Sequence, residues 1–315
     1  MERFAVASKL QLLNLPFMGC QSVFRTFCVC FLVFSTAKLQ AEIKVASFST
    51  VLAEIAQKVG GKNVTVTSLI KPGQDPHEYQ LTPGDLSAAT ASDLVLLSGK
   101  GMEATYLRNL SDALPKRVQV LAVGDQLPGL KGGGEEKEGE KETTEDPHWW
   151  NSILETEKAT GVVRDAFIHV DGQHSADYQA GAQAYLNELR ELDSWAKRKV
   201  AELPRNQRKL VTSHDAFQYF AKDFGFQIDS IEGLTTDQEP SVSHVTGLIA
   251  EIKKQGVKAI FLENTLNPKV SMEITRESGA KIGGSLYADG LGPGDGETYT
   301  GMVRHNVTTI VDALK

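Results

Sequence analysis

The longest run of helical periodicity in the chain lies near its middle. Between residues 175 and 203 the apolar positions recur at steps of three and four, which places them on one face of a single helix. These positions are Tyr178, Ala182, Tyr185, Leu189, Leu192, Ala196, Val200 and Leu203. Ser175 can cap the start of the helix, and Pro204 cannot continue it. Such a helix is roughly 40 Å long, so we expect it to link two domains, and an ordinary long surface helix is the alternative.

Short apolar runs alternate with amphipathic segments on both sides of this helix. The runs before it predict strands at residues 43–48, 64–70, 94–97 and 118–123. The runs after it predict strands at residues 209–212, 227–231, 257–262 and 281–282. Helices are predicted between these strands, among them residues 216–224, 242–254 and 299–314. Strands that alternate with helices are typical of a parallel sheet covered on both faces.

We therefore predict an α/β fold of two lobes, each a mainly parallel sheet flanked by helices, joined by one long rigid helix. The predicted limits are residues 42–172 for the N-terminal lobe, 173–204 for the linking helix and 205–315 for the C-terminal lobe.

The first 41 residues have the pattern of a secretory signal peptide. Arg25 precedes an apolar run at residues 26–37, and the sequence Leu-Gln-Ala ends at a predicted cleavage site after Ala41. The run is too short for a permanent bilayer-spanning helix. A start at Met18 gives a signal of ordinary length, so we predict that translation begins there rather than at Met1.

The chain has three cysteines, all within this predicted signal: Cys20, Cys28 and Cys30. The exported protein would then have neither disulfides nor thiolate metal ligands. We expect a periplasmic protein. The alternative is an extracellular, membrane-anchored protein, although none of the cysteines follows a convincing lipidation pattern.

Length and composition indicate the class of protein and its net charge. The chain has 315 residues, of which 41% are hydrophobic and 23% charged, and a formal net charge of −7. These values are typical of a soluble globular protein of about two domains. The sequence has no basic cluster, which argues against binding to nucleic acid or to an anionic membrane surface. We expect a monomer.

One low-complexity stretch, residues 131–146, interrupts the N-terminal lobe. Its three lysines and seven acidic residues give it a formal charge of −4. We interpret it as a mobile acidic loop exposed to solvent. Loose collection of cations by its carboxylates is the alternative, although flexible, unpaired carboxylates hold metals poorly.

Four short segments contain side chains that suit a metal site. The tripeptide Asp-Pro-His occurs twice, ending at His77 and at His148, while His214 and Asp289 stand in Ser-His-Asp-Ala-Phe and Tyr-Ala-Asp-Gly. His77, His214 and Asp289 each follow a predicted strand, at the edge where open α/β sheets bind ligands. His148 comes after a strand and the acidic loop.

These four side chains predict one site in the cleft between the lobes, because each lobe supplies two of them. Three neutral imidazoles and one carboxylate complete a tetrahedral zinc site. Such a set leaves no position open for water, so it suits holding a metal better than using one in catalysis. All three imidazoles must be neutral to bind, and we expect affinity to fall as the pH drops through their unperturbed pKa near 6.5.

The other four histidines do not fit this pattern. His169 and His174 precede the linking helix in what we interpret as a polar turn, and His244 and His305 lie within predicted helices. We interpret all four as structural.

The same segments resemble a known family. The two Asp-Pro-His tripeptides, Ser-His-Asp-Ala-Phe-Gln-Tyr-Phe at residues 213–220 and Tyr-Ala-Asp-Gly-Leu-Gly at residues 287–292 are together similar to the zinc and manganese solute-binding proteins of bacterial ABC importers, the ZnuA/TroA-like group. The resemblance runs from about residue 43 to residue 315. It implies two lobes joined by a rigid helix, and metal binding by His77, His148, His214 and Asp289.

The chain departs from parts of this family pattern. Manganese-preferring members often carry a glutamate at the third ligand position, where this chain has His214. Many zinc-preferring members have a histidine-rich loop where this chain has only glutamates and lysines. The resemblance therefore leaves the choice between zinc and manganese open.

The function that these observations predict is capture of one divalent metal, zinc first and manganese as the alternative, by an exported carrier. Delivery requires an ABC permease and its ATPase as partners. A secreted zinc hydrolase with Glu78 or Glu239 as general base is a second hypothesis, but the chain has no His-Glu-x-x-His pattern. A metal-binding adhesin with the same fold is a third.

Overall fold

The computed structural model describes residues 42–131, 145–236, 240–264 and 268–315. The predicted signal peptide and most of the predicted acidic loop lie outside these described residues. Among the described residues, no helix is both long enough and apolar enough to cross a bilayer.

The N-terminal lobe is built on a parallel sheet with the strand order β2-β1-β3-β4. Its strands are β1 (Ile43–Ser47), β2 (Val64–Ser68), β3 (Leu94–Leu97) and β4 (Gln119–Ala122). All four residues of β3 are buried, as expected for a strand inside a sheet that helices cover on both faces. The helices of this lobe are α1 (Thr50–Gly60), α2 (Pro83–Thr90), α3 (Leu107–Ala113) and α4 (Ile153–Val170).

Helix α4 is the main element that the sequence pattern does not reveal. Its buried face carries Glu155, Thr156 and Thr160 among its apolar residues, so the apolar stripe is interrupted. His169 lies in the last turn of this helix and is exposed. Its predicted position in a polar turn is therefore wrong.

The C-terminal lobe repeats the arrangement, with the strand order β6-β5-β7-β8. Its strands are β5 (Lys209–Thr212), β6 (Gln227–Ser230), β7 (Ala259–Glu263) and β8 (Lys281–Leu286), and its helices are α6 (Gln218–Phe224), α7 (Val242–Gln255), α8 (Lys269–Ser278) and α9 (Tyr299–Leu314). Strand β8 is longer than the strand predicted at residues 281–282. Gly283 and Gly284 interrupt the apolar pattern from which strands were predicted. A Cβ on Gly283 would lie 2.5 Å from the Phe261 ring of β7, so only glycine fits there.

The predicted linking helix is present as α5 (Ser175–Val200), slightly shorter than expected. Its buried positions are those that the periodicity indicates. It packs against α1 and α4 of the first lobe and against α9 of the second. The contact with α1 is close: a Cβ on Gly181 would lie 2.4 Å from the carbonyl oxygen of Val59. The predicted fold class, two parallel α/β lobes with a long helix, is confirmed.

A half-buried carboxylate connects the lobes beside this helix. Glu54 of α1 accepts a hydrogen bond at 2.8 Å from the backbone N–H of Tyr299, the first residue of α9. It also accepts one at 3.3 Å from the hydroxyl of Tyr185 in α5. Burial raises the pKa of Glu54. A carboxylate at a helix N-terminus is favourable, so this contact holds α9 against α1.

Candidate metal centre

The four predicted ligands lie on loops at the carboxyl edges of the two sheets. His214 and Asp289 closely follow β5 and β8, as predicted. His77 lies farther from its strand than expected, in a long loop after β2. His148 immediately precedes a short 3-10 turn, Trp149–Asn151, that leads into α4.

The structure brings these four side chains together, with one ligand atom from each within 4.8 Å of the others. His148 Nε2 lies 3.1 Å from His77 Nε2 and 3.3 Å from His214 Nε2. Asp289 Oδ1 lies 3.6, 3.7 and 3.2 Å from the Nε2 atoms of His77, His148 and His214. The atoms that converge are therefore three imidazole nitrogens and one carboxylate oxygen.

These separations suit a small tetrahedral ion. Metal–ligand bonds of about 2.0–2.1 Å in a tetrahedron separate the ligand atoms by about 3.3–3.4 Å. The five distances given above, 3.1 to 3.7 Å, bracket that value, and the sixth, between His77 and His214, is within 4.8 Å. The four side chains are between 0% and 4% exposed. A bound ion would thus be almost completely removed from water.

Two buried carboxylates orient the imidazoles from behind. His148 Nδ1 lies 2.8 Å from Asp146 Oδ1, and His214 Nδ1 contacts Glu263 Oε2. An N–H at Nδ1 donates to each carboxylate, which leaves the Nε2 lone pair free to face a metal. No sequence motif predicted this role for either carboxylate. The position of Glu263 at the carboxyl end of β7 is the signal that was available.

The repeated Asp-Pro-His tripeptide has a local structural reason. In the first copy, the backbone N–H of His77 donates to Asp75 Oδ1 at 2.8 Å. In the second, the backbone N–H of His148 donates to Asp146 Oδ1, also at 2.8 Å. The aspartate therefore fixes the turn that presents each histidine.

The electrostatics of the site are dominated by His214 and Asp289. Burial lowers the pKa of His214, but the carboxylates of Glu263 and Asp289 outweigh it and hold this pKa well above its ordinary value of 6.5. Burial raises the pKa of Asp289, yet His214 and His77 outweigh it and hold that pKa well below 3.8. Both shifts favour an imidazolium–carboxylate pair in the metal-free site.

The remaining histidines lie outside this cluster, as expected. His174 Nδ1 lies 2.5 Å from Asp171 Oδ2. His244 and His305 lie within hydrogen-bond distance of the carbonyl oxygens of strand residues, at 3.1 and 2.8 Å. Of the two bases suggested for a hydrolase, Glu78 is exposed and Glu239 lies outside the described residues.

Comparison with known proteins gives consistent similarities. The family described as zinc-uptake complex component A, periplasmic (ZnuA), matches residues 45–313. The manganese-binding lipoprotein MntA of Bacillus subtilis (strain 168) is 35% identical over 283 residues, which cover 87% of this chain and 90% of MntA. The iron-binding protein YfeA of Yersinia pestis is 30% identical over 316 residues, covering 96% of this chain and 98% of YfeA.

A solved structure shows the same architecture. The periplasmic zinc-binding protein TroA of Treponema pallidum aligns with a TM-score of 0.79 and 29% identity, over 87% of this chain and 99% of TroA. The names of these similar proteins thus include manganese, iron and zinc.

Proposed function

Since this chain belongs to the ZnuA family and is a metal-binding substrate-binding protein of the ABC importer type, we propose that it carries zinc, bound by His77, His148, His214 and Asp289. The observation that carries this proposal is the convergence of three imidazole nitrogens and one carboxylate oxygen at tetrahedral separations. Imidazoles suit zinc, and zinc lies above manganese in the usual order of divalent affinities. An almost fully buried site suits transport of the ion as cargo.

Manganese is the second candidate, and the similarity to MntA favours it. Manganese prefers oxygen donors and a higher coordination number than four. In this chain Asp289 is the only carboxylate among the four converging side chains. The donor set therefore supports zinc over manganese.

The same proposal includes partners and location. A substrate-binding protein of an importer needs a permease and an ATPase, and we propose that this chain delivers its metal to them as a monomer. We place it outside the cytoplasm, exported by the predicted signal at residues 1–41. The lipoprotein name of MntA makes a membrane-anchored form the alternative to a free periplasmic one.

Competition calorimetry with zinc and manganese tests the metal and its ligands together. We expect one zinc per chain, bound more tightly than manganese. Replacing His77, His148 or His214 by Ala, or Asp289 by Asn, should weaken zinc binding by more than about a hundredfold, because even substitutions behind the ligands cost 10–100-fold. His174→Ala and His244→Ala, outside the cluster, are the controls and should bind like the parent.

Two results would contradict the proposal. Manganese outcompeting zinc would mean that the metal is wrong. Asp289→Asn binding zinc as tightly as the parent would mean that the fourth ligand is wrong. The metal content of protein purified from its native source, without added metal, would report the ion carried in the cell.

A further inference from the structure

The turn that follows His148 connects three of the four ligand loops. The side-chain amide of Asn151 donates two hydrogen bonds, to the carbonyl oxygens of Ala216 and Ala288, both at 2.9 Å. The indole N–H of Trp150 donates to the same Ala288 oxygen at 2.8 Å. An amide nitrogen has two donors, so Asn151 uses both of them across the boundary between the lobes.

Each of these hydrogen bonds joins residues that are close in sequence to a proposed ligand. The backbone N–H of Asn151 donates to the carbonyl of His148 at 3.1 Å. The N–H of Ala216 donates to the carbonyl of His214 at 3.0 Å. The other acceptor belongs to the residue directly before Asp289. One side chain therefore fixes the spacing of three ligand loops, and the loop of His77 is the one that it does not reach.

Burial makes these bonds difficult to replace. Asn151 is 6% exposed and Trp150 is 1% exposed, while Ala216 and Ala288 are fully buried. A buried carbonyl that loses its donor and cannot reach water is left unsatisfied, which is costly. The loops can therefore separate only by breaking hydrogen bonds between buried groups.

We propose that Asn151 is a positioning residue that sets the separations among His148, His214 and Asp289, and so favours zinc over manganese. This inference rests on the proposed function. A tetrahedral zinc ion needs its donors at close, fixed separations, whereas manganese takes more ligands in a larger shell. Ligand loops that can move apart by a fraction of an ångström lose this discrimination between zinc and manganese. The supporting residues are what hold the donor atoms at the separations that zinc requires.

Two substitutions, at Asn151 and at Trp150, remove different numbers of the hydrogen bonds that connect the ligand loops. The neighbouring Trp149 offers a matched control. Asn151→Leu removes both amide bonds while keeping the branched shape of the side chain. Trp150→Phe removes the indole bond and reduces the ring that packs against His148. Trp149→Phe is the control, because Trp149 is also fully buried and its indole N–H donates at 3.0 Å to Ser98 O, a carbonyl outside the ligand loops. Zinc and manganese affinities would be measured by competition, and Co²⁺ absorption would report the coordination geometry.

We expect Asn151→Leu to weaken zinc binding about 10–100-fold and manganese binding less, so that the zinc-to-manganese affinity ratio falls about tenfold. The intense absorption of tetrahedral Co²⁺ should weaken in the same variant. Trp150→Phe should shift the ratio in the same direction but less, since Ala288 keeps its bond from Asn151. Trp149→Phe should keep the parental ratio and Co²⁺ spectrum.

Asn151→Leu retaining the ratio and spectrum of Trp149→Phe would overturn the inference. If circular dichroism shows that Asn151→Leu does not fold, Trp150→Phe decides: a ratio equal to that of Trp149→Phe overturns the inference, and a lower ratio supports it. A parent protein that fails to prefer zinc would refute the proposed function itself. A zinc-preferring parent with unchanged variants would refute only the role of Asn151.

Discussion

His214 is the residue whose chemistry in the structure differs most from the sequence-based expectation. Three neutral imidazoles with pKa values near 6.5 were expected. The structure instead places His214 between Glu263 and Asp289, which hold its pKa well above 6.5. The stabilising imidazolium–carboxylate contact is fully present below pH 6.5 and is lost as the pH rises through the raised pKa. Zinc must therefore displace a proton at neutral pH.

This displacement predicts proton release on binding. At pH 7, titration of the protein with zinc in buffers of different ionisation enthalpy should show release of about one proton or more per zinc. Apparent affinity should fall about tenfold per pH unit below the pKa of His214, because one more proton competes with the metal. The decline should begin above pH 6.5.

The variant Glu263→Gln provides the comparison. It removes one of the two carboxylates that raise the pKa of His214, so proton release at pH 7 should decrease and the decline in affinity should move to lower pH. Proton release near zero in the parent would show that His214 is already neutral before zinc binds.

Among the elements, the acidic loop at residues 131–146 is the one that can be altered without disturbing the rest of the fold. Its ends are held in the structure: Lys131 and Glu145 pair as an antiparallel bridge, and Glu145 Oε2 lies 2.7 Å from the buried Nζ of Lys100. A loop anchored at both ends can be shortened without moving what it connects. Residues 132–144 lie outside the described residues, so their predicted mobility stays a prediction.

Replacing residues 132–144 with a short Gly/Ser linker should therefore leave zinc affinity within about twofold of the parent, while association slows through weaker electrostatic steering. Calorimetry gives the affinity and stopped-flow mixing the rate. A variant with the same 13 positions in shuffled order keeps the charge and should keep the parental rate. A tenfold loss of affinity in the linker variant, about 1.4 kcal/mol, would instead show that the loop carboxylates coordinate the metal.

At the scale of the whole molecule, both lobes share one hydrophobic core. The largest buried cluster continues from Val45 of the first sheet through Leu189 of α5 to Ile310 of α9. Glu54 adds a half-buried polar contact across the same boundary, and Asn151 adds a buried one. Separation of the lobes would expose apolar surface and break these bonds, so a wide hinge motion is unfavourable.

We therefore expect metal binding to change the shape of the protein little. Saturating zinc should raise the melting temperature, since binding stabilises the native state by mass action. Solution scattering of the same samples should show a change in radius of gyration below about 1 Å, as in other preorganised binding proteins. Chelated and zinc-reloaded protein serves as the control for reversibility. A contraction of several ångströms would instead indicate that the lobes close on the metal.

The features that the sequence determined by itself are those set by local patterns. Apolar residues at helical spacing predicted the buried face of α5 because one face of a helix must be covered. Alternating strands and helices predicted both parallel sheets. The same local reasoning failed for α4, because Thr156 and Thr160 on its buried face hide the apolar stripe. The four proposed ligands were found because short motifs presented each of them at a strand end or a turn.

Only the tertiary structure decided how these ligands are held and charged. Glu263 is 49 residues from His214, and Ala288 is 137 residues from the amide of Asn151 that donates to it. No local pattern relates residues so far apart, since the contact of Glu263 with His214 depends on the pairing of β7 with β5, and the contact of Asn151 with Ala288 depends on the packing of one lobe against the other. The pKa of His214 depends in turn on the tertiary structure of the C-terminal lobe, because burial lowers it while the carboxylates of Glu263 and Asp289 raise it. The sequence thus supplied the donor atoms, and the tertiary structure determined their separations, their protonation and the residues that orient them.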